Sequence, residues 1–122
     1  MKLAADIAVG LVGLLHLYFL VLEMFLWDKP FGRRTFGMTA EQAAATKTLA
    51  MNQGLYNGFL AAGLLWGLFA ADGVKVFFLA CVIVAGVFGA LTASRKILWV
   101  QALPGAVALA LVLLRPGTLA GT

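Results

Sequence analysis

The first feature that constrains this chain is a run of apolar residues from about Leu3 to Leu26, closed by Trp27. At ~1.5 Å rise per residue, a helix of that length crosses a bilayer core of ~30 Å. Three further apolar runs follow, at about Thr48–Ala70, Val74–Ala93 and Ile97–Leu114. The breaks between them are short. Of the 122 residues, 63% are hydrophobic and only 11% are charged, and the mean hydropathy is +1.01. A soluble domain carries about 25% charged residues. The sequence therefore predicts an all-α, integral membrane four-helix bundle with antiparallel neighbours. It predicts a single domain over 1–122, with helices at about 3–26, 40–70, 74–93 and 97–114. The lipid bilayer is the first expected partner.

Met1-Lys2 followed by an apolar run has the outline of a signal peptide, but no small-x-small cleavage site follows, so a retained helix is expected. Asp28–Met38 reads as a loop, because Pro30 and Gly32 break regular structure. Thr39-Ala40-Glu41-Gln42 reads as a capping box, starting a helix at the interface that continues into the second span. Asp72-Gly73 reads as a tight turn. Pro104 is expected to bend the fourth span or free a carbonyl, and Arg115-Pro116-Gly117 to end it.

The net charge of +4 does not point to nucleic acid, because the basic residues flank hydrophobic spans. Lys29, Arg33, Arg34, Lys47, Arg95 and Lys96 fall on one side of the expected bundle, and Lys2, Lys75 and Arg115 on the other. The positive-inside rule then puts both termini outside the cytoplasmic (inner) membrane. Cys81 is the single cysteine, which excludes an intrachain disulfide and a multi-cysteine metal site. No metal is expected.

The second span is polar where lipid would not tolerate polarity. Asn52, Gln53, Tyr56 and Asn57 fall inside it, and an unpaired polar group in hydrocarbon costs roughly several kcal/mol. On a helical wheel these four share a broad face, with Gly54 and Gly58 nearly opposite. The first span holds His16 and Glu23, two turns apart on one face. Antiparallel packing would bring Asn52 and Gln53 to the depth of Glu23, and Tyr56 and Asn57 towards His16. Thr92 and Gln101 fall in the same cytoplasmic half. A polar pocket is expected there, with an apolar outer half.

His16, Glu23 and Tyr56 are the candidate catalytic residues. Asn52, Gln53, Asn57, Arg33, Arg34 and Gln101 are the candidate substrate contacts. A His and a carboxylate supply acid and base, and amides with a phenol can stabilise an oxyanion. The plainer reading stands beside this one: a hydrogen-bonded core histidine, a Glu23 paired with Arg33, Arg34 or Lys47, amides joining helices, and a packing Tyr56.

His16 and Glu23, the loop Phe31-Gly32-Arg33-Arg34-Thr35-Phe36-Gly37 and the block Asn52–Ala61 resemble a family of small bacterial four-helix membrane proteins catalogued as a domain of unknown function, number thirteen-oh-four. The resemblance covers nearly the whole chain, and the second-helix block is its most specific part. It implies a four-helix inner-membrane protein and supplies no established reaction, although some members carry the label "epimerase".

Four functions remain open. One is an acid–base enzyme of isomerase or epimerase type acting on a lipophilic small molecule. Another is a proton-coupled transporter or exporter working as a homo-oligomer around Glu23. A third is a lipid or haem binder with His16 as axial ligand, although no cofactor is required by the sequence. The fourth is a structural membrane subunit. No HExxH, CxxC, P-loop, GxSxG or GxGxxG pattern is present.

Overall fold

The computed structural model describes residues 2–115. These residues are all-helical, with no strand among them. Helix α1 spans Lys2–Met24, α2 Pro30–Phe36, α3 Ala40–Gly67 and α4 Asp72–Thr92; a π-helical turn at Leu98–Ala102 leads into α5, Leu103–Leu114. The expected loop at 28–38 thus holds a helix. Pro30 is in its first turn, where a missing N–H costs nothing. Gly37 ends it in the left-handed region at φ 64°, and the Met38 N–H reaches back to the Arg33 carbonyl at 2.9 Å. Pro116 and Gly117, expected to end the last helix, lie outside the described residues.

The capping box forms as the sequence predicts. The Thr39 N–H donates to Gln42 Oε1 at 2.9 Å, and the Gln42 N–H donates to Thr39 Oγ1 at 3.1 Å. Two orphan donors at the start of α3 are thereby satisfied. Pro104 acts on the turn before it. It offers no N–H to the fourth carbonyl back, and the helix widens: the Leu103 N–H bonds Leu98 O, five residues away.

The chain falls into two compact units, one from Met1–Leu14 with Leu60–Thr122, the other Leu15–Phe59. In the first, Ala5, Val9 and Val12 of α1, Leu64 of α3, Leu79 and Val82 of α4, and Ala108 and Val112 of α5 form a buried core. Gly86 brings α4 close to the π turn: a Cβ there would lie 2.9 Å from Ala102 N. Asp72 is not in a turn as expected but opens α4. Its carboxylate accepts from Lys75 Nζ at 3.1 Å and also from Arg115 Nη2, which ties the start of α4 to the end of α5.

In the second unit, α2 packs on the end of α1. A Cβ at Gly32 would overlap the Leu26 carbonyl. Trp27 stacks on Phe36, with ring centroids 4.8 Å apart, and its Nε1 donates to Thr46 Oγ1 at 2.9 Å.

Among the described residues, α1 and α4 are long and apolar enough to cross a membrane. Only 28% of the most apolar stretch of α1, and 22% of that of α4, is buried within the protein. The core helix of a soluble protein would bury most of its apolar residues. On α4, Phe77, Val84, Phe88 and Leu91 are all exposed.

Candidate functional site

The site is built where α1 and α3 meet inside the second unit. Small residues on α3 permit the approach. Ala43, Ala50, Gly54 and Asn57 are buried along one stripe of this helix. A Cβ at Gly54 would lie 2.5 Å from Met24 Cγ and 3.2 Å from Glu23 Cβ; one at Gly58 would lie 2.7 Å from Leu20 Cδ1. Helices pack through their smallest faces, because dispersion contacts grow as backbones near each other.

Asn57 is carried inward with that glycine stripe and is 5% exposed. Its Nδ2 donates to Glu23 Oε1 across the helix pair. Glu23 itself is half-buried. His16 is fully buried, its ring edge-on to Phe19 with centroids 5.2 Å apart. Seven residues separate it from Glu23, about 10 Å along the axis. The two therefore stand on one helix face without forming a direct pair. A haem iron would reach His16 only by displacing the side chains that enclose it.

The remaining sequence-selected residues are placed elsewhere. Asn52, Gln53 and Tyr56 are exposed on α3. The broad polar face expected for this helix is thus divided: Asn57 turns to α1, while the other three lie on an open flank. The division follows from Gly54 and Gly58, which take the contact that the wheel assigned to the amides. Tyr56 lies beside Phe59, ring centroids 6.1 Å apart. Arg33 is half-buried and Arg34 exposed, both on α2. Gln101 belongs to the first unit, where its Nε2 donates to Val82 O at 3.0 Å. Thr92 Oγ1 donates to Phe88 O of its own helix at 2.7 Å.

The cations of the second unit do not neutralise Glu23. Lys47 Nζ instead donates to Asp28 Oδ2 at 3.0 Å. The hydrogen bond from Lys47 holds the Asp28 carboxyl below the usual carboxylate range. Among the described residues no three His, Cys, Asp or Glu side chains gather as a metal-ligand set.

Sequence reasoning missed the role of the Gly54 stripe in presenting Asn57. The signal was present: Asn57, Gly58 and Ala61 follow Gly54 at three, four and seven residues, which is one helix face. It also missed α2, whose Pro30 start and Gly37 stop are helix punctuation.

The family match covers these same positions. The chain matches the profile of a family described as "Protein of unknown function (DUF1304)" over residues 10–113. It is 32% identical over 96 residues to the uncharacterized protein YpaA of Lactococcus lactis subsp. lactis (strain IL1403), an alignment covering 75% of this chain and 81% of that one. No solved structure matches it at a significant level. His16, Glu23, the α2 segment and the Asn52–Asn57 stretch all fall inside the matched region, and the chain belongs to the DUF1304 family.

Proposed function

We propose that this protein is a four-helix bundle of the cytoplasmic membrane, termini outside, and that Glu23 serves it as an acid–base catalyst on a lipophilic small molecule in an isomerase- or epimerase-type reaction. The observation that carries the reading is the partner of Glu23. This half-buried carboxylate, close to the end of an apolar helix, is held by the neutral Asn57 amide. A structural carboxylate would gain more from Lys47, Arg33 or Arg34. Lys47 is taken by Asp28, and neither arginine pairs with a carboxylate among the described residues. With a neutral partner, Glu23 can gain and lose a proton without breaking an ion pair.

In that role the Glu23 carboxylate removes a proton from carbon beside a carbonyl, and the electron pair moves onto the carbonyl oxygen. Return of a proton to the opposite face inverts the centre, with no net change in atoms. Asn57 orients the carboxylate. His16, on the same face of α1 but enclosed, would act as the second acid–base group when the side chains around it part. Tyr56, Asn52 and Gln53 would meet substrate from the open flank of α3, and Arg33 and Arg34 would meet any anionic part. The bond of Gln101 to Val82 supports helix packing for that residue instead. Lipid contact is supported by how little of α1 and α4 the protein itself buries.

The test works with the substrate still unidentified. Reconstituted protein is incubated in heavy water with the total lipid extract of its native membrane. Mass spectrometry should find a lipophilic compound that gains deuterium only with protein present, and E23Q should abolish the gain. A folded wild-type protein that labels nothing overturns the enzymatic reading.

The exposure of Asn52, Gln53 and Tyr56 favours a second reading, a proton-coupled transporter in which another copy of the chain covers this flank. It predicts flux across vesicles that depends on a pH gradient and is lost in E23Q, with no deuterium exchange at carbon.

A further inference from the structure

We propose that α2 and the turn after it bind the phosphate of an anionic phospholipid headgroup through Arg33 and Arg34. The inference rests on the membrane placement of α1, is independent of the catalytic role of Glu23, and gives Arg33 and Arg34 to lipid in place of an anionic part of the substrate.

Four observations converge on it. Pro30, Arg33, Arg34, Gly37 and Met38 line a shallow concavity. The Arg33 Nε there is shielded from water and has no hydrogen-bond acceptor among the described residues. An N–H held away from water without an acceptor loses roughly 1–3 kcal/mol, so the Arg33 guanidinium gains by turning towards an anionic oxygen in the concavity that its side chain lines. Among the described residues no carboxylate answers either guanidinium: Asp28 is taken by Lys47 and Glu23 by Asn57. The segment is held in place, by Gly32 against the Leu26 carbonyl, by Trp27 against Phe36 and by the Met38 N–H on Arg33 O.

The choice of a lipid over a free anion comes from the surroundings. Phe31 and Phe36 are exposed on the same short helix, 46% and 44% respectively. The helix follows directly on the end of α1, at the level where a membrane-crossing α1 would meet the headgroups. A basic helix with exposed aromatics in that layer sets its guanidinium groups at phosphate depth and its rings among the acyl chains. The arginine fork matches two phosphate oxygens. The positive-inside rule alone accounts for arginines in water, but not for a shielded Nε.

The experiment is native mass spectrometry of the full chain released from nanodiscs made of equal parts phosphatidylcholine and phosphatidylglycerol. The protein should retain phosphatidylglycerol in preference to phosphatidylcholine. R33A should lower the retained fraction about tenfold, the loss of one charge-assisted contact. R33K should recover only part of it, and R34A should lose less than R33A. K96A removes equal charge from another loop and should leave retention unchanged. Millimolar inorganic phosphate should not displace the lipid.

Equal retention of both lipids by the wild type overturns the proposal whatever the variants do. A K96A loss as large as that of R33A reduces the effect to diffuse charge and overturns it too. Displacement by inorganic phosphate identifies a soluble anion site and rules out the headgroup. A chain that stays outside the disc overturns the membrane placement and this proposal together.

Discussion

Asn57 on α3 donates its side-chain amide to the carboxylate of Glu23 on α1, a polar bond between these two helices inside the second unit. It joins a residue that is 5% exposed to one that is half-buried. Removing the donor leaves a carboxylate desolvated and unanswered. N57A should therefore lower the unfolding free energy in detergent by about 1–3 kcal/mol. On an E23Q background the same change should cost less, because a neutral group at position 23 tolerates the loss. A double-mutant cycle of thermal or denaturant unfolding reads the difference. Equal costs on the two backgrounds would show that the bond contributes nothing to stability.

Gly54 sets how closely those helices approach. A methyl group at position 54 meets Met24 Cγ at 2.5 Å and Glu23 Cβ at 3.2 Å. Met24 can rotate away, but the Glu23 Cβ is fixed to its backbone. G54A should destabilise the protein by about 1–3 kcal/mol through overpacking. Gly10 is the contrast, since a Cβ there finds only Leu68 Cδ1 at 4.0 Å. G10A should be neutral or stabilising by up to about 1 kcal/mol, from the helix propensity of alanine. Unfolding of the two variants side by side checks the assignment of α3's contact face.

The helices were legible because apolar length and punctuation are local properties. The four apolar runs, the Thr39–Gln42 box and the disruptive Pro104 can be read without knowing what packs against what. The choice of neighbour is not local. On a wheel, Asn52, Gln53, Tyr56 and Asn57 form one polar sector, and the sequence treats them alike. Packing separates them, since the contact goes to Gly54 and takes only the residue three positions on. His16 and Glu23 were found because ionisable groups stand out in an apolar run. The Asp72 link to Arg115 was not found, because its ends are 43 residues apart in sequence and each looks like a loop charge. The α2 helix was masked by its own glycine, read as a breaker, although Gly32 is there to let the helix rest on the Leu26 carbonyl.

The Asp28–Lys47 pair gives a pH dependence of defined sign. The hydrogen bond from Lys47 lowers the carboxyl pKa in the folded protein. A lowered folded-state pKa means stability that is present above the unfolded value of ~3.9 and is lost as pH falls through the folded value. Between about pH 5 and pH 3 the wild type should therefore lose more thermal stability than D28N, which has no proton to take up at that position. Other carboxylates titrate in both proteins and drop out of the comparison. A parallel loss in wild type and D28N would mean that the pair does not form in solution.

The charge count gives a topological prediction. Six basic residues flank one side of the expected bundle and three the other. Epitope tags at the two ends should both be digested by protease added to spheroplasts, and a tag inserted after Ser94 should be protected. Protection of the terminal tags with digestion of the Ser94 tag would reverse the orientation. It would leave Glu23 and Asn57 bonded as before, since that contact depends on how α1 and α3 meet and not on which leaflet they face.

The flank of α3 bearing Asn52, Gln53 and Tyr56 sets the last test. All three are exposed in the single chain. In hydrocarbon, uncovered amides cost roughly several kcal/mol, so a membrane-embedded flank of this kind requires a polar cover. A second copy is one such cover, because a two-fold axis sets the amides of one flank against those of the other. Cys81 is the native thiol and is free, so a C81S background isolates the test. On the transporter reading, N52C on that background should form a disulfide-linked dimer in native membranes under mild oxidation. L91C, on the exposed face of α4, should not. If L91C links and N52C does not, the copies meet through α4 and the amides are covered by something else, which would favour substrate on that flank and hence the enzymatic reading. If neither links and the protein runs as a monomer, the transporter reading loses the oligomer it needs.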